Sequence, residues 1–135
     1  MKQILNKDTG ILLLRFGFGI IFIMHGYPKL LGGIEKWEQL GNMVGIPFVP
    51  VFWGFMAALS EGIGGLLLML GLCTRIASSF LALTMIGAIT FHIATAQGSP
   101  MHAIESLIIF ISFILMGGGK YSIDEKLGWN TCCEN

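Results

Sequence analysis

The sequence predicts an all-α integral membrane protein, an antiparallel four-helix bundle whose N- and C-termini are both cytoplasmic. Composition is the first reason. Of 135 residues, 54% are hydrophobic and 12% charged, about half the roughly 25% charge of a soluble domain, and the mean hydropathy is strongly positive. Length is the second. Four apolar stretches lie at about residues 10–31, 47–72, 76–96 and 101–116, and a helix needs about 20 apolar residues to cross roughly 30 Å of hydrocarbon. The third is connection. Short turns join the stretches and no internal repeat is present, so residues 1–135 read as a single transmembrane domain with a polar tail at 117–135. The helices of a soluble protein would show polar faces that these stretches lack. Zero net charge and the absence of a basic stripe argue against nucleic acid as a partner and leave the lipid bilayer as the partner that composition demands.

Residues 1–9 (Lys2, Gln3, Asn6, Lys7 and Asp8 among them) read as a short amphipathic lead-in, with Asp8 or Thr9 capping the first helix. Arg15 interrupts the apolar stretch that follows, and no small-residue cleavage site succeeds it, so this segment reads as a retained helix and not as a signal peptide. It is apolar but for Arg15 and His25. The connection after Gly32-Gly33 is polar (Glu35, Lys36, Glu38, Gln39, Asn42) and punctuated by Gly41, Gly45, Pro47 and Pro50. Trp37 and Trp53 flank it, as suits a membrane boundary, and residues 34–41 read as a short surface helix. The second segment reads as unbroken and carries one acid, Glu61. A tight turn at 71–75 leads to the third segment, which holds His92. Gln97-Gly98-Ser99-Pro100 turns the chain again. The fourth segment is short, holds His102 and Glu105, and stops at Gly117-Gly118-Gly119. Trp129 reads as a surface residue.

Orientation follows from lysine and arginine. Lys2, Lys7, Arg15, Arg75, Lys120 and Lys126 fall on one side; Lys29 and Lys36 fall on the other. The richer side is cytoplasmic by the positive-inside bias. Cys73, Cys132 and Cys133 then lie in or near a reducing compartment as free thiols, and their placement makes no disulfide framework.

A carboxylate at the centre of a span costs at least about 2.5 kcal/mol on insertion scales, so Glu61 must face protein and needs a partner. The helix rise of 1.5 Å per residue places Arg15 about 24 Å and Glu61 about 20 Å from the outer side. An Arg15–Glu61 pair between the first two segments resolves both desolvations, either as a proton-handling element or as a clamp on helix register. By the same rise His25 lies about 9 Å deep, and His92 and Glu105 about 7 Å, with His102 near the surface. His102 and Glu105, three apart, share a helix face. These groups read as a polar mouth that handles protons or contacts a ligand. Two histidines with a carboxylate also suit an open metal site, two histidines a haem, and all of them hydrogen bonding to lipid headgroups. The spacing is no recognised metal motif, and no metal is assigned. Arg15, His25 and Glu61 are therefore the candidate catalytic residues, and His92, His102 and Glu105 the candidate ligand contacts. Small residues four apart (Gly54, Ala58, Gly62; Ala57, Glu61, Gly65), with Gly17 and Gly19 near Arg15, offer close helix approach in lipid. The methionines read as apolar filler.

Five motifs in order, Arg15-Phe-Gly-Phe-Gly-Ile20, Met24-His-Gly-Tyr-Pro-Lys29, Ser60-Glu-Gly-Ile-Gly-Gly65, Gly71-Leu-Cys-Thr-Arg75 and Gly117-Gly-Gly-Lys-Tyr-Ser-Ile-Asp124, resemble the DoxX family of small membrane proteins. The resemblance covers roughly residues 10–125. It implies a four-helix protein of the cell inner membrane, with Arg15, His25, Lys29, Glu61, Arg75, His92, Glu105 and Asp124 at matching positions. Ile123 stands where the family usually has Leu. Family members resemble subunits of a thiosulfate:quinone oxidoreductase or belong to membrane complexes that answer oxidative and thiol stress. The implied role is a quinone-interacting subunit of a redox system, with nothing bound covalently. No flavin motif, haem motif or Cys-x-x-Cys is present, so electrons would come from a partner redox protein; a homo-oligomer is the other expected association. The competing readings are a non-enzymatic scaffold or assembly partner, and a small carrier, for which no broken helix is read.

Overall fold

The computed structural model describes residues 6–129, so Cys132 and Cys133 lie outside it. The described chain is all-helical: α1 (Lys7–Leu31), α2 (Gly33–Val44), α3 (Pro50–Leu70), α4 (Thr74–Thr95), α5 (Met101–Met116) and α6 (Ile123–Lys126). Helices α1, α3 and α4 are long and apolar enough to cross a membrane. Helix α5 is equally apolar, but its 16 residues rise only about 24 Å.

Several boundaries differ from those expected, each for a local reason. Helix α1 begins at Lys7, with Asn6 at its N-cap in place of Asp8 or Thr9. Asp8 instead sits in the first turn, where the helix dipole favours an acid. Helix α3 begins at Pro50 and not at residue 47. Proline suits the first helical position, and the residue before it is disfavoured from right-handed helical geometry; Val49 lies outside the helix, with φ 50°. The second segment is also not unbroken, because a π-helical turn at Ser60–Gly64 interrupts α3 at Glu61. Such one-turn bulges add a residue to the helix and re-aim the side chains beside it.

Helix α2 is a surface helix, with Ile34, Glu35, Lys36, Glu38, Gln39, Asn42 and Met43 exposed, and its buried Gly41 marks the face by which it packs. It continues the column of α1 beyond Gly33 (φ 71°), and it packs against the first half of α3. A Cβ on Gly41 would stand 2.6 Å from the Pro50 Cα, and one on Gly54 would stand 2.9 Å from the Gly41 amide nitrogen. The same antiparallel register runs down α1. A Cβ on Gly26 would lie 2.6 Å from the Gly62 Cα, and one on Gly19 2.8 Å from the Gly65 carbonyl oxygen. Glycines thus bring α1 and α3 to backbone contact at two levels, the close packing that substitutes for a hydrophobic driving force in lipid. Gly17, in contrast, has nothing near it and takes no part.

Phe22, Leu68, Leu81, Phe110 and Phe113 form the centre of the core, each at most 2% exposed. The Phe22 and Phe110 rings meet edge to face, 4.8 Å between centroids. Outside, Leu13, Met24, Ile76, Leu83, Ile93, Ile108 and Leu115 are exposed, an apolar surface suited to lipid and not to water.

Candidate functional site

The expected Arg15–Glu61 pair does not form. The α1–α3 register sets Glu61 level with Lys29, while Arg15 lies near Met69 and Gly71. Counting rise from a shared surface missed this, because α1 extends past the start of α4 at one end while α3 runs on beside α2 at the other.

Glu61 meets Lys29 instead, Nζ to Oε2 2.5 Å, with 6% of the Glu61 side chain exposed and 27% of the Lys29 side chain. Four local features surround the pair. The π turn carries Glu61, and Gly26 against Gly62 brings the two backbones together beside it. Pro28 lacks an N–H, so the α1 ladder is open just before Lys29. The Trp37 indole then fixes the joint by donating to the Lys29 carbonyl, 3.0 Å.

The pair lines a cavity of about 130 Å³ together with Phe22, His25, Met85, Ala88, His92, Ser99, His102 and Ala103. The His25 and His102 rings are 5.8 Å apart. His25 Nδ1 lies 2.9 Å from the Ile21 carbonyl, and His92 Nδ1 lies 2.5 Å from the Gln97 carbonyl. A carbonyl only accepts, so Nδ1 carries the proton in both rings, and Nε2 is left as the base in each neutral imidazole. One acid, one ammonium and imidazole bases around a small space can exchange protons with a bound ring or with water.

Glu105 does not join them. The inward face of α5 is Ala103, Ser106, Phe110 and Phe113, and Glu105 is exposed beside it. The cavity takes His102 in its place, so the set of two histidines and Glu105 is not assembled. Among the described residues no three of His, Cys, Asp and Glu are placed to hold a metal ion. Lys29 is the residue whose pairing sequence reasoning missed, since it served there as a marker of the outer surface and as a family-motif position but not as the partner of Glu61. Matching Gly26 with Gly62 would have found it.

Removing one partner of a buried pair costs about 3–5 kcal/mol, largely through the charge left behind. Lys29→Met and Glu61→Gln alone should therefore each lower the melting temperature more than the double variant does. Additive losses in a thermal scan of the four proteins would show the two groups to be uncoupled.

Arg15 belongs to a second polar cluster at the opposite end. It is 2% exposed. Its guanidinium donates to the Gly118 carbonyl, to the Tyr121 carbonyl at 3.0 Å and to the Met69 carbonyl at 3.4 Å. Asp124 accepts from the amides of Cys73 (2.7 Å) and Thr74 (2.8 Å) and so caps α4 from the far end of the chain. That distant cap is why α4 begins at Thr74 and not at residue 76. Gly71 is required twice: its φ is 70°, and a Cβ there would sit 2.6 Å from the Arg15 guanidinium. Three of the sequence motifs, those starting at Arg15, Gly71 and Gly117, thus close on one another. The other two, around His25–Lys29 and Glu61, build the cavity.

Comparison with known proteins points the same way. The DoxX family pattern matches residues 10–94. The chain is 33% identical to the inner membrane protein YqjF of Escherichia coli over 94% of this chain and 97% of that one. It is 44% identical to CatD of Bacillus subtilis, which carries a provisional oxidoreductase name, over 63% of this chain and 62% of CatD. An uncharacterized protein of Haemophilus influenzae is 32% identical over 84% of this chain and 87% of its own. No solved structure matches. The family pattern covers more than half of the chain, including both cavity motifs, and one relative matches it almost end to end: this chain belongs to the DoxX family of membrane proteins.

Proposed function

We propose that this chain is a multi-pass inner-membrane subunit of a redox system and that its cavity receives a quinone ring. In this reading α1, α3, α4 and α5 form an antiparallel four-helix bundle with both termini cytoplasmic. The observation that carries the proposal is the Lys29–Glu61 pair facing three histidines in one cavity. A membrane protein that buries an acid within a spanning helix and sets a lysine and three histidines around it uses the group or is destabilised by it. The size is that of a single ring: an engineered cavity of about 150 Å³ takes up benzene, against about 130 Å³ here. An isoprenoid tail would have to lie outside, along the apolar surface.

A quinone bound here would supply two-electron chemistry coupled to protons. The chain's own part is to place donors and bases around the ring. Lys29 offers a cation to a carbonyl oxygen, and the Nε2 atoms of His25 and His92 and the Glu61 carboxylate hold or release protons. Phe22, Met85 and Ala103 keep the ring's inner side dry. Electrons come from a partner redox protein in this scheme. The oxidoreductase name of CatD supports the same class of chemistry.

The test is binding of a short-tailed benzoquinone to the detergent-purified chain, with native mass spectrometry of protein released gently from its membrane. Wild type should retain a quinone mass, and Glu61→Gln should bind the probe at least about tenfold more weakly, about 1.4 kcal/mol, while keeping its helicity. A chain that carries lipid and a stoichiometric protein partner, with no quinone and no response to Glu61→Gln, would move the scaffold reading to first place.

A further inference from the structure

We propose that the cavity opens to one aqueous phase alone, the phase beside the turn at residues 96–100, and that a dry apolar layer closes it from the other. The inference rests on the packing around the cavity and is independent of the quinone reading.

The mouth is wet. His25, Ser99 and His102, all lining the cavity, are exposed. The floor is apolar, with Phe22, Met85 and Ala103 between 2% and 6% exposed. Beneath the floor Leu68, Leu81 and Phe110 are fully buried and Phe113 nearly so. Only past this layer does Arg15 appear, 14 residues along α1 from Lys29, a rise of about 21 Å.

The hydroxyls divide by burial. Outward-facing hydroxyls satisfy themselves on their own helix: Ser79, Thr84, Thr90, Thr95 and Ser112 each donate to the carbonyl four residues back. Ser60, Thr74, Ser78 and Ser106 are buried and make no such bond. A buried hydroxyl without a protein partner calls for water. Ser60 adjoins Glu61, and Ser106 is one turn from Ala103, so these two extend the cavity's polar zone. Thr74 and Ser78 sit at the start of α4, on the Arg15 side. Ser106 comes within one turn of Phe110 and Ser78 within one turn of Leu81, so the apolar layer between the two sets of hydroxyls is the single level of Leu81 and Phe110, both fully buried. Leu81 and Phe110 offer water no hydrogen-bond partner.

Protons taken up or released at Glu61, His25 or His92 are therefore exchanged with a single compartment. A reaction in the cavity changes the pH of that compartment and moves no proton across the membrane.

Cysteine accessibility tests this directly. In a background with Cys73, Cys132 and Cys133 replaced by serine, single cysteines are placed in the cavity (Ala88→Cys, Ala103→Cys), in the layer (Leu81→Cys) and at two exposed reporters, Gln97→Cys on the mouth side and Lys126→Cys on the other. Vesicles of each orientation are treated with a charged, membrane-impermeant maleimide. The cavity cysteines should react from the Gln97 side and be slower from the Lys126 side by on the order of a hundredfold, because a charged reagent cannot cross the apolar layer. Leu81→Cys should react from neither side. Reporter labelling shows that each variant has inserted, and two cavity positions guard against one that does not fold. Cavity labelling from the Lys126 side, labelling of Leu81→Cys, or no cavity labelling from either side would each overturn the proposal.

Discussion

Arg15→Ala should remove the folded protein from the membrane. The substitution strips three backbone carbonyls, those of Met69, Gly118 and Tyr121, of their donor, and it leaves the buried Asp124 without the nearby positive charge. Breaking a buried charged network by deleting one member costs about 3–5 kcal/mol, a large part of a total stability of about 5–15 kcal/mol. The expected readout is a fall in membrane abundance and, for whatever survives in detergent, a melting temperature lower by well over 10 °C. Arg15→Lys should be intermediate, since one ammonium cannot span three carbonyls as a planar fork does. Because Arg15 is remote from the cavity, any Arg15→Lys protein that folds should bind the cavity ligand as wild type does. A melting temperature unchanged in Arg15→Ala would remove the structural assignment.

The second large effect is expected from Gly26→Val. A side chain at residue 26 has nowhere to go, because even its first carbon would press on the backbone at Glu61 and Gly62. The helices must separate there, and separation pulls Glu61 away from Lys29 at the same time. Overpacking alone costs about 1–3 kcal/mol, and loss of the ion pair adds to it, so the chain should be both unstable and unable to bind at the cavity. Gly17→Ala is the matched control. That position faces open space, and alanine is favoured over glycine in a helix by about 1 kcal/mol, so this variant should be as stable as wild type or more so. A Gly26→Val protein as stable as Gly17→Ala would contradict the close α1–α3 crossing.

The apolar architecture was legible because it depends on local composition. Helix lengths, the turns at 71–75 and 96–100 and the stop at Gly117 all follow from residues adjacent in sequence. The pairing of charges was not legible, because it depends on register. Arg15 and Glu61 were matched by depth, yet depth counted along straight, equally placed helices ignores that α1 and α2 make one long column beside α3. The glycines held the missing information, since Gly19, Gly26, Gly62 and Gly65 specify the crossing, but only as pairs. The early start of α4 had no local signal at all, because its cap lies 50 residues away at Asp124. Convergence of His25 and His92 was anticipated with Glu105 as their companion; His102 and Glu105 share a helix and both were read as ligand contacts, and of the two it is His102 that lines the cavity.

The cap on α4 has a consequence for biosynthesis. A chain emerging from the ribosome releases α4 before residue 124 has emerged, so during that interval the first turn of α4 lacks its acceptor and the Arg15 guanidinium lacks two of its three carbonyls. The nascent protein is complete in its spans yet unfastened. The last dozen or so described residues act as a clasp, and chains interrupted before Asp124 should be recognisable to membrane proteases by the loose end they leave.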